Sequence, residues 1–221
     1  MPKTTAPTAA TPKTRTSGGN ALNVRGDEEL GSAAQRDRRK RILDATIALA
    51  AKGGFEAVQM RTVAERADVA LGTLYRYFPS KIHLLVSGLA RELERGQERL
   101  DRTLIPGDTP YDRVLFMLGR VTRAMQRDPH LTEAMTRAFM FADATAATEV
   151  DTVGKLMDRM LTKAMHEGEP TEEDRAIARV ITDVWLSNLV AWVTRRASAS
   201  DVADRLELTV RLLLARNDRR E

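Results

Sequence analysis

The side chains best suited to gripping a partner lie between Thr62 and Leu85, in the run TVAERADVALGTLYRYFPSKIHLL. Thr73, Tyr75 and Tyr77 offer hydroxyls for phosphate oxygens, and Arg76 offers a fork that fits the guanine edge in a major groove. Gly72 withholds a side chain where another surface must come close. Arg61 and Lys81 add cations, and Leu71 adds an apolar contact. Lys81 falls in the first helical turn after Ser80, where the helix dipole disfavours a cation, so a nearby phosphate would account for it. Aromatic residues make up only 5% of the chain, yet Tyr75, Tyr77 and Phe78 crowd together just before Pro79. A single tyrosine there could be gap filler between helices; the whole ordered set points to contact with a phosphate polymer.

These residues need a rigid mount, and the apolar spacing supplies one. Ile42, Thr46, Leu49 and Ala50 recur at helical intervals in a first helix that starts at Ser32 and ends at Gly53-Gly54. A second, short helix is expected over Met60–Ala67 and a third over Leu71–Phe78. Asp68 sits at the reversal between them, and Asp tolerates a left-handed backbone better than most non-glycine residues. Leu74 and Phe78, four apart, share a face that can pack on Val63, Ala67 and Ile47. Pro79 stops the third helix, and Ser80 caps a fourth that runs to about Leu100. Two short helices about a tight turn describe a helix-turn-helix.

Further breaks fall at Pro106-Gly107, Asp128-Pro129, near Asp143, at Gly168–Pro170 and at Ser198–Ser200. No segment reads as a strand, so the fold class is all-α. Three parts are expected: a disordered basic tail over residues 1–31, a helix-turn-helix DNA-binding domain over 32–79, and a larger helical bundle over 80–221. The tail holds Lys3, Lys13, Arg15 and Arg25, no acid before residue 27 and hardly any large apolar side chain, too little to offset the entropy of ordering.

Composition narrows the function classes. The chain has 221 residues, 43% hydrophobic and 30% charged, enough to bury a real core. It has no cysteine, which excludes disulfides, thiolate metal sites and a cysteine nucleophile. His83, His130 and His166 are scattered without metal-ligand spacing. No Ser/His/Asp set, carboxylate pair or phosphate-cradling glycine loop supports an enzyme, and no cofactor or metal site is expected. There is no secretory signal and no run of eighteen apolar residues, so the expected location is the cytoplasm, without a membrane partner. The net charge is only +4, but Gln35–Arg41 reads QRDRRKR, which favours an anionic partner or, more plainly, a solvated face.

The C-terminal part holds candidates for an apolar ligand. Val114, Leu118, Val121 and Met125 form an inward stripe, while Arg113, Arg120, Arg123 and Arg127 form either a solvated face or a basic mouth. Methionine adapts to varied apolar shapes. Met117, Met125, Met135, Phe139, Met157 and Met160 are therefore candidate lining residues, although most such residues also serve a core. Ile181, Trp185, Asn188 and Trp192 share one helical face. Buried Trp and Asn each want a partner, so Asn188 is either a satisfied core amide or a ligand anchor.

The run FEAVQMRTVAERADVALGTLYRYFPSKIHLL resembles the DNA-binding domain of the TetR family of bacterial repressors. Two departures stand out: Ala70 replaces the usual small hydroxyl residue before the recognition helix, and Gln59 replaces the usual threonine before the second helix. Each puts one N-cap in doubt, at about 1 kcal/mol. With AMQRDPHLTEAMTRAFMFADATAATEVD and VITDVWLSNLVAWVTRRAS, the likeness extends from Ser32 to about Leu214 and is to the branch that represses steroid and cholesterol catabolism genes. It implies a homodimer joined through the last two helices, about Thr171–Ala197 and Asp201–Ala215, on a palindromic operator of double-stranded DNA. It also implies release by a hydrophobic steroid-derived effector, such as a CoA thioester; a fatty acyl-CoA or another hydrophobic molecule is the alternative.

Overall fold

The computed structural model describes the backbone of residues 20–215 and the side chains of residues 33–215. Nine α-helices follow in order among these residues: α1 (Asn20–Ala57), α2 (Met60–Arg66), α3 (Leu71–Tyr77), α4 (Lys81–Asp101), α5 (Pro110–Arg127), α6 (Pro129–Met140), α7 (Ala147–Met165), α8 (Glu172–Val193) and α9 (Ala199–Leu214). A 3₁₀ turn over Ala144–Ala146 precedes α7. The described residues contain no strand.

The first helix departs from expectation. It begins at Asn20 rather than Ser32, so residues 20–31 are helical and not disordered. Ala21, Leu22, Glu28, Glu29 and Leu30 are good helix formers, and neither Gly26 nor Gly31 ends the helix. The disorder expected for residues 1–19 lies outside the described residues. The chain divides into two units, Met1–Asp37 and Arg38–Glu221. Described residues of the first belong to α1; the second holds everything that follows.

Within the second unit, local chemistry sets the helix ends. At the α1 break, Gly54 takes φ 68°, a backbone that costs glycine nothing. Ser80 accepts the amide protons of Ile82 and His83 and so caps α4. Thr109 with Asp112, Thr171 with Asp174 and Ser198 with Asp201 form reciprocal capping boxes at α5, α8 and α9. Asp128 caps α6 just ahead of Pro129. As expected, Gln59 and Ala70 make no side-chain cap.

The bundle is built on α4, which packs against α6 and α7, while α5 packs on α7 and α9 and α8 on α6, α7 and α9. Its core includes Leu84, Leu85, Met117, Leu118, Met157, Leu161, Ile181 and Leu189. α8 is 22 residues long and apolar enough to cross a membrane by length and composition, yet only 28% of its most apolar window is buried. Its capping box and its packing place it in the bundle, and its apolar surplus faces outward.

Candidate DNA-binding face and effector cavity

The turn between α2 and α3 is shaped by Asp68, whose φ is 53°. The sequence showed the need for this reversal but not what secures it. Arg41 donates to the carbonyls of Ala67, at 2.7 Å, and Asp68, at 3.3 Å. It thereby satisfies orphan carbonyls at the end of α2. Part of the basic run in α1 is thus structural. Beneath the turn, Val63, Ala67, Leu74 and Phe78 are buried.

That packing points the other side of α3 outward. Arg61, Gly72, Tyr75 and Arg76 are exposed. A Cβ at Gly72 would meet nothing within 4 Å. No described neighbour therefore requires glycine there, although glycine in a helix costs about 1 kcal/mol against alanine. Leu71, Thr73 and Tyr77 are half-buried. Leu71 and Tyr77 also pack against the core.

Lys81 has an intramolecular role that its position in the sequence did not reveal. Its Nζ lies 3.8 Å from the centroid of the Phe55 ring. The Arg137 guanidinium lies 4.4 Å from that centroid. Burial holds the Lys81 pKa below its ordinary value; the Arg137 charge adds to the lowering, while Glu56 and Glu133 oppose it.

The C-terminal candidates surround a chain of small spaces. A largely apolar cavity of about 130 Å³ lies between α4, α5, α6 and α7, lined by Leu89, Leu93, Met125, Leu131, Met135 and Met160 among others, and also by Glu92, Arg99 and Asp128. A second space, of about 30 Å³, shares Leu89, Leu93 and Met125 with it and reaches Phe139, Met157 and Trp185. On the other side, a hollow of about 510 Å³ shares Gly96, Arg99, Val121 and Ala124 with the first cavity. Arg99, Arg120, Arg123 and Arg127 line that hollow, and among the described residues no carboxylate does.

Six of the nine residues expected at an effector site therefore meet these spaces: Met125, Met135, Phe139, Met157, Met160 and Trp185. Met117 is fully buried but lines none of the three. Asn188 donates to Val184 O of its own helix at 2.8 Å and accepts from Arg205 at 3.5 Å, so its amide is satisfied without a ligand. Trp192 is half-buried and also outside these linings. Trp185 donates its indole N–H to Thr122 Oγ1 at 3.0 Å.

Arg113 does not join the other arginines. It donates to the carbonyls of Ala164 and Met165 and so caps the end of α7. Arg99, which the sequence pattern did not single out, takes its place from α4. A roomier groove of about 850 Å³ beside Arg113 is less suited to an apolar molecule. It is lined by charges of both signs, with Lys163 paired to Asp101.

A helix-turn-helix on an all-helical bundle with an internal apolar cavity defines the class, and the chain belongs to the TetR family of bacterial regulatory proteins. The model of that family's regulatory domain matches residues 42–87, and that of the tetracycline-repressor-like C-terminal domain matches residues 107–213. Within the family, the chain is 70% identical over 191 residues to the HTH-type transcriptional repressor KstR of Mycolicibacterium smegmatis, spanning 86% of this chain and 94% of that one. Among solved structures, a TetR regulator from Rhodococcus sp. RHA1 is 33% identical and superimposes with a TM-score of 0.76, covering 82% of this chain and 97% of its own. FadR of Thermus thermophilus, solved with lauroyl-CoA, shares the fold at 22% identity and a TM-score of 0.62, covering 79% of this chain and 92% of its own. The chain is a transcriptional regulator and not an enzyme.

Proposed function

We propose that the chain is a homodimeric cytoplasmic repressor of steroid and cholesterol catabolism genes, released from a palindromic operator by a steroid-derived acyl-CoA. The single observation that carries the effector class is the arginine hollow, free of carboxylates among the described residues, opening onto largely apolar spaces. Phosphates of a CoA moiety suit the four guanidinium groups, and an apolar acyl group suits the methionine-rich interior. The steroid reading rests on the similarity to KstR. A fatty acyl-CoA is the second reading, favoured by the lauroyl-CoA bound in the Thermus protein of the same fold.

The spaces of about 130 and 30 Å³ are far below the roughly 300 Å³ at which ligand pockets begin. Binding must therefore part α4, α5 and α6, and Leu89, Leu93 and Met125 form the partition that has to yield. A ligand that favours the parted state opposes DNA binding to the extent that DNA favours the closed one.

Dimerisation is proposed through α8 and α9. Val180, Leu208 and Leu212 are large, apolar and exposed on these helices, and a second copy would cover them. Two recognition helices about 34–36 Å apart would then enter successive major grooves of one duplex. On α3, Arg76 would read a base and Tyr75 and Thr73 would hold phosphates, with Arg61 and Lys81 adding charge.

The test is anisotropy of a labelled duplex from the chain's own upstream DNA, with excess random DNA present. Lithocholyl-CoA, a four-ring acyl-CoA, is expected to release the duplex at lower concentration than palmitoyl-CoA. Equal potency of the two would overturn the steroid reading, and binding no tighter than to random DNA would overturn the operator reading.

A further inference from the structure

We infer that Glu133 and Arg137, on the outer face of α6, form a clasp that couples the effector cavity to the DNA-binding helices through Phe55. The inference rests on the effector reading given above and names the side chains that would carry it. It begins with the break in α1. Gly53 and Gly54 leave helical geometry, so the amide of Phe55 points away from the helix ladder and needs an acceptor. That acceptor is Glu133 Oε2, at 2.9 Å, from a residue 78 positions further along the chain. The fit is close: a Cβ on Gly54 would stand 2.7 Å from the same oxygen.

One helical turn on, Arg137 completes the grip. Its Nη1 lies 3.0 Å from Glu56 Oε1 and 3.7 Å from Glu133 Oε1, and its guanidinium covers one side of the Phe55 contact shared with Lys81. Glu133 and Arg137 thus hold the backbone, the carboxylate and the ring of the turn that leads into α2. Lys81 opens α4, directly after the recognition helix, and rests on the same ring.

The opposite side of α6 meets the cavity. Leu131, Thr132 and Met135 line the space of about 130 Å³, and Thr136 and Phe139 line the space of about 30 Å³. Residues two apart on a helix point about 200° apart. Leu131, Met135 and Phe139 therefore oppose Glu133 and Arg137 across one helix only 12 residues long. An acyl group that pushes α6 outward must move the clasp, and with it the Phe55 turn and Lys81. A second tie runs beside it: His83 bridges Ser80 Oγ and the Thr145 carbonyl, both at 2.9 Å. α4 is thus anchored independently when the clasp is cut, so a clasp variant can keep its fold.

The experiment uses the full chain with Glu133→Ala and, separately, Phe55→Leu. Three quantities are read: operator affinity, lithocholyl-CoA affinity by tryptophan emission, and the ratio of operator Kd with and without that thioester. Emission reports only on Trp185 and Trp192, the two tryptophans of the chain. In Glu133→Ala, thioester affinity measured without DNA should stay within about threefold of wild type, while the ratio falls by about twofold to thirtyfold, the range seen when residues along a coupling route are changed. Phe55→Leu, which keeps the amide bond but removes the ring, should lower the ratio by less. An unchanged ratio in both variants overturns the clasp. If lithocholyl-CoA fails to release wild-type protein, the effector reading fails instead. The clasp is then decided by hydrogen exchange at the Phe55 amide: operator should change its protection in wild type, and an unchanged rate overturns the inference.

Discussion

The outward side of α3 and the wall of the internal cavity are built on opposite rules. Gly72 faces open space, and Tyr75 and Arg76 point outward although a tyrosine and an arginine could each have been accommodated by packing or pairing. Around the cavity, Met135, Met157, Met160 and Trp185 are buried and interlocked. On the proposed reading, a surface meant to grip a partner leaves its best groups unspent, whereas a cavity meant to open disguises its lining as ordinary core. Side chains of the first kind betray themselves by type and order. Those of the second kind differ from core only in having a small void beside them.

The sharpest way to break this contrast is on the hidden side of α3. Leu74 is fully buried, so Leu74→Ala should cost about 2–5 kcal/mol of stability. Operator binding should fall with the melting temperature. Arg76→Ala is expected to leave the melting temperature within error and to cost about 1–3 kcal/mol of operator affinity, with relaxed preference at one base position. Anisotropy with single-base operator variants checks this. Equal losses on operator and random DNA would move Arg76 to the phosphate-binding class.

On the cavity side, Thr122→Val removes the acceptor of the Trp185 indole. Leaving a buried donor unpaired costs about 1–3 kcal/mol, so thermal unfolding should shift down while operator affinity at a temperature well below the transition stays put. Asn188→Leu is a smaller change. The Asn188 amide bonds its own helix and Arg205 rather than facing the cavity. Stability should drop by less than about 1.5 kcal/mol, one net hydrogen bond, with thioester affinity unaltered; a large loss of affinity would return Asn188 to the site.

The smallest effect is a control far from both regions. Bonds from the Ser198 amide and hydroxyl hold the Asp201 carboxyl below its ordinary value of 3.8. A depressed carboxyl contributes its stability above pH 3.8 and loses it as pH falls through the lowered pKa. The first turn of α9 should therefore fray only in acid, read by amide exchange, with neither DNA nor thioester binding affected near neutral pH.

The sequence determined what is local. The proline, glycine and capping positions placed the ends of α3 to α9 within a few residues, because those signals act over one turn. Asp68 and the spacing of Leu74 and Phe78 made the helix-turn-helix legible, and with it the outward order of Gly72, Tyr75 and Arg76. The start of α1 was misplaced because the scarcity of large apolar side chains before Ser32 reads as disorder, whereas good helix formers around Gly26 and Gly31 carry the helix through both glycines. Tertiary structure alone decided which of two equal-looking groups did which job. Arg113 and Arg120 sit on one amphipathic helix, yet one caps α7 and the other lines the hollow, because only packing brings the orphan carbonyls of Ala164 and Met165 to Arg113. Lys81 looked like a lone cation at a helix start until Phe55, 26 residues earlier, came beneath it. Glu133 carries no signal of its own in the sequence; only the glycine break in α1 brings it the Phe55 amide. Such pairings depend on where distant backbone ends meet, and no periodicity within a single helix encodes that.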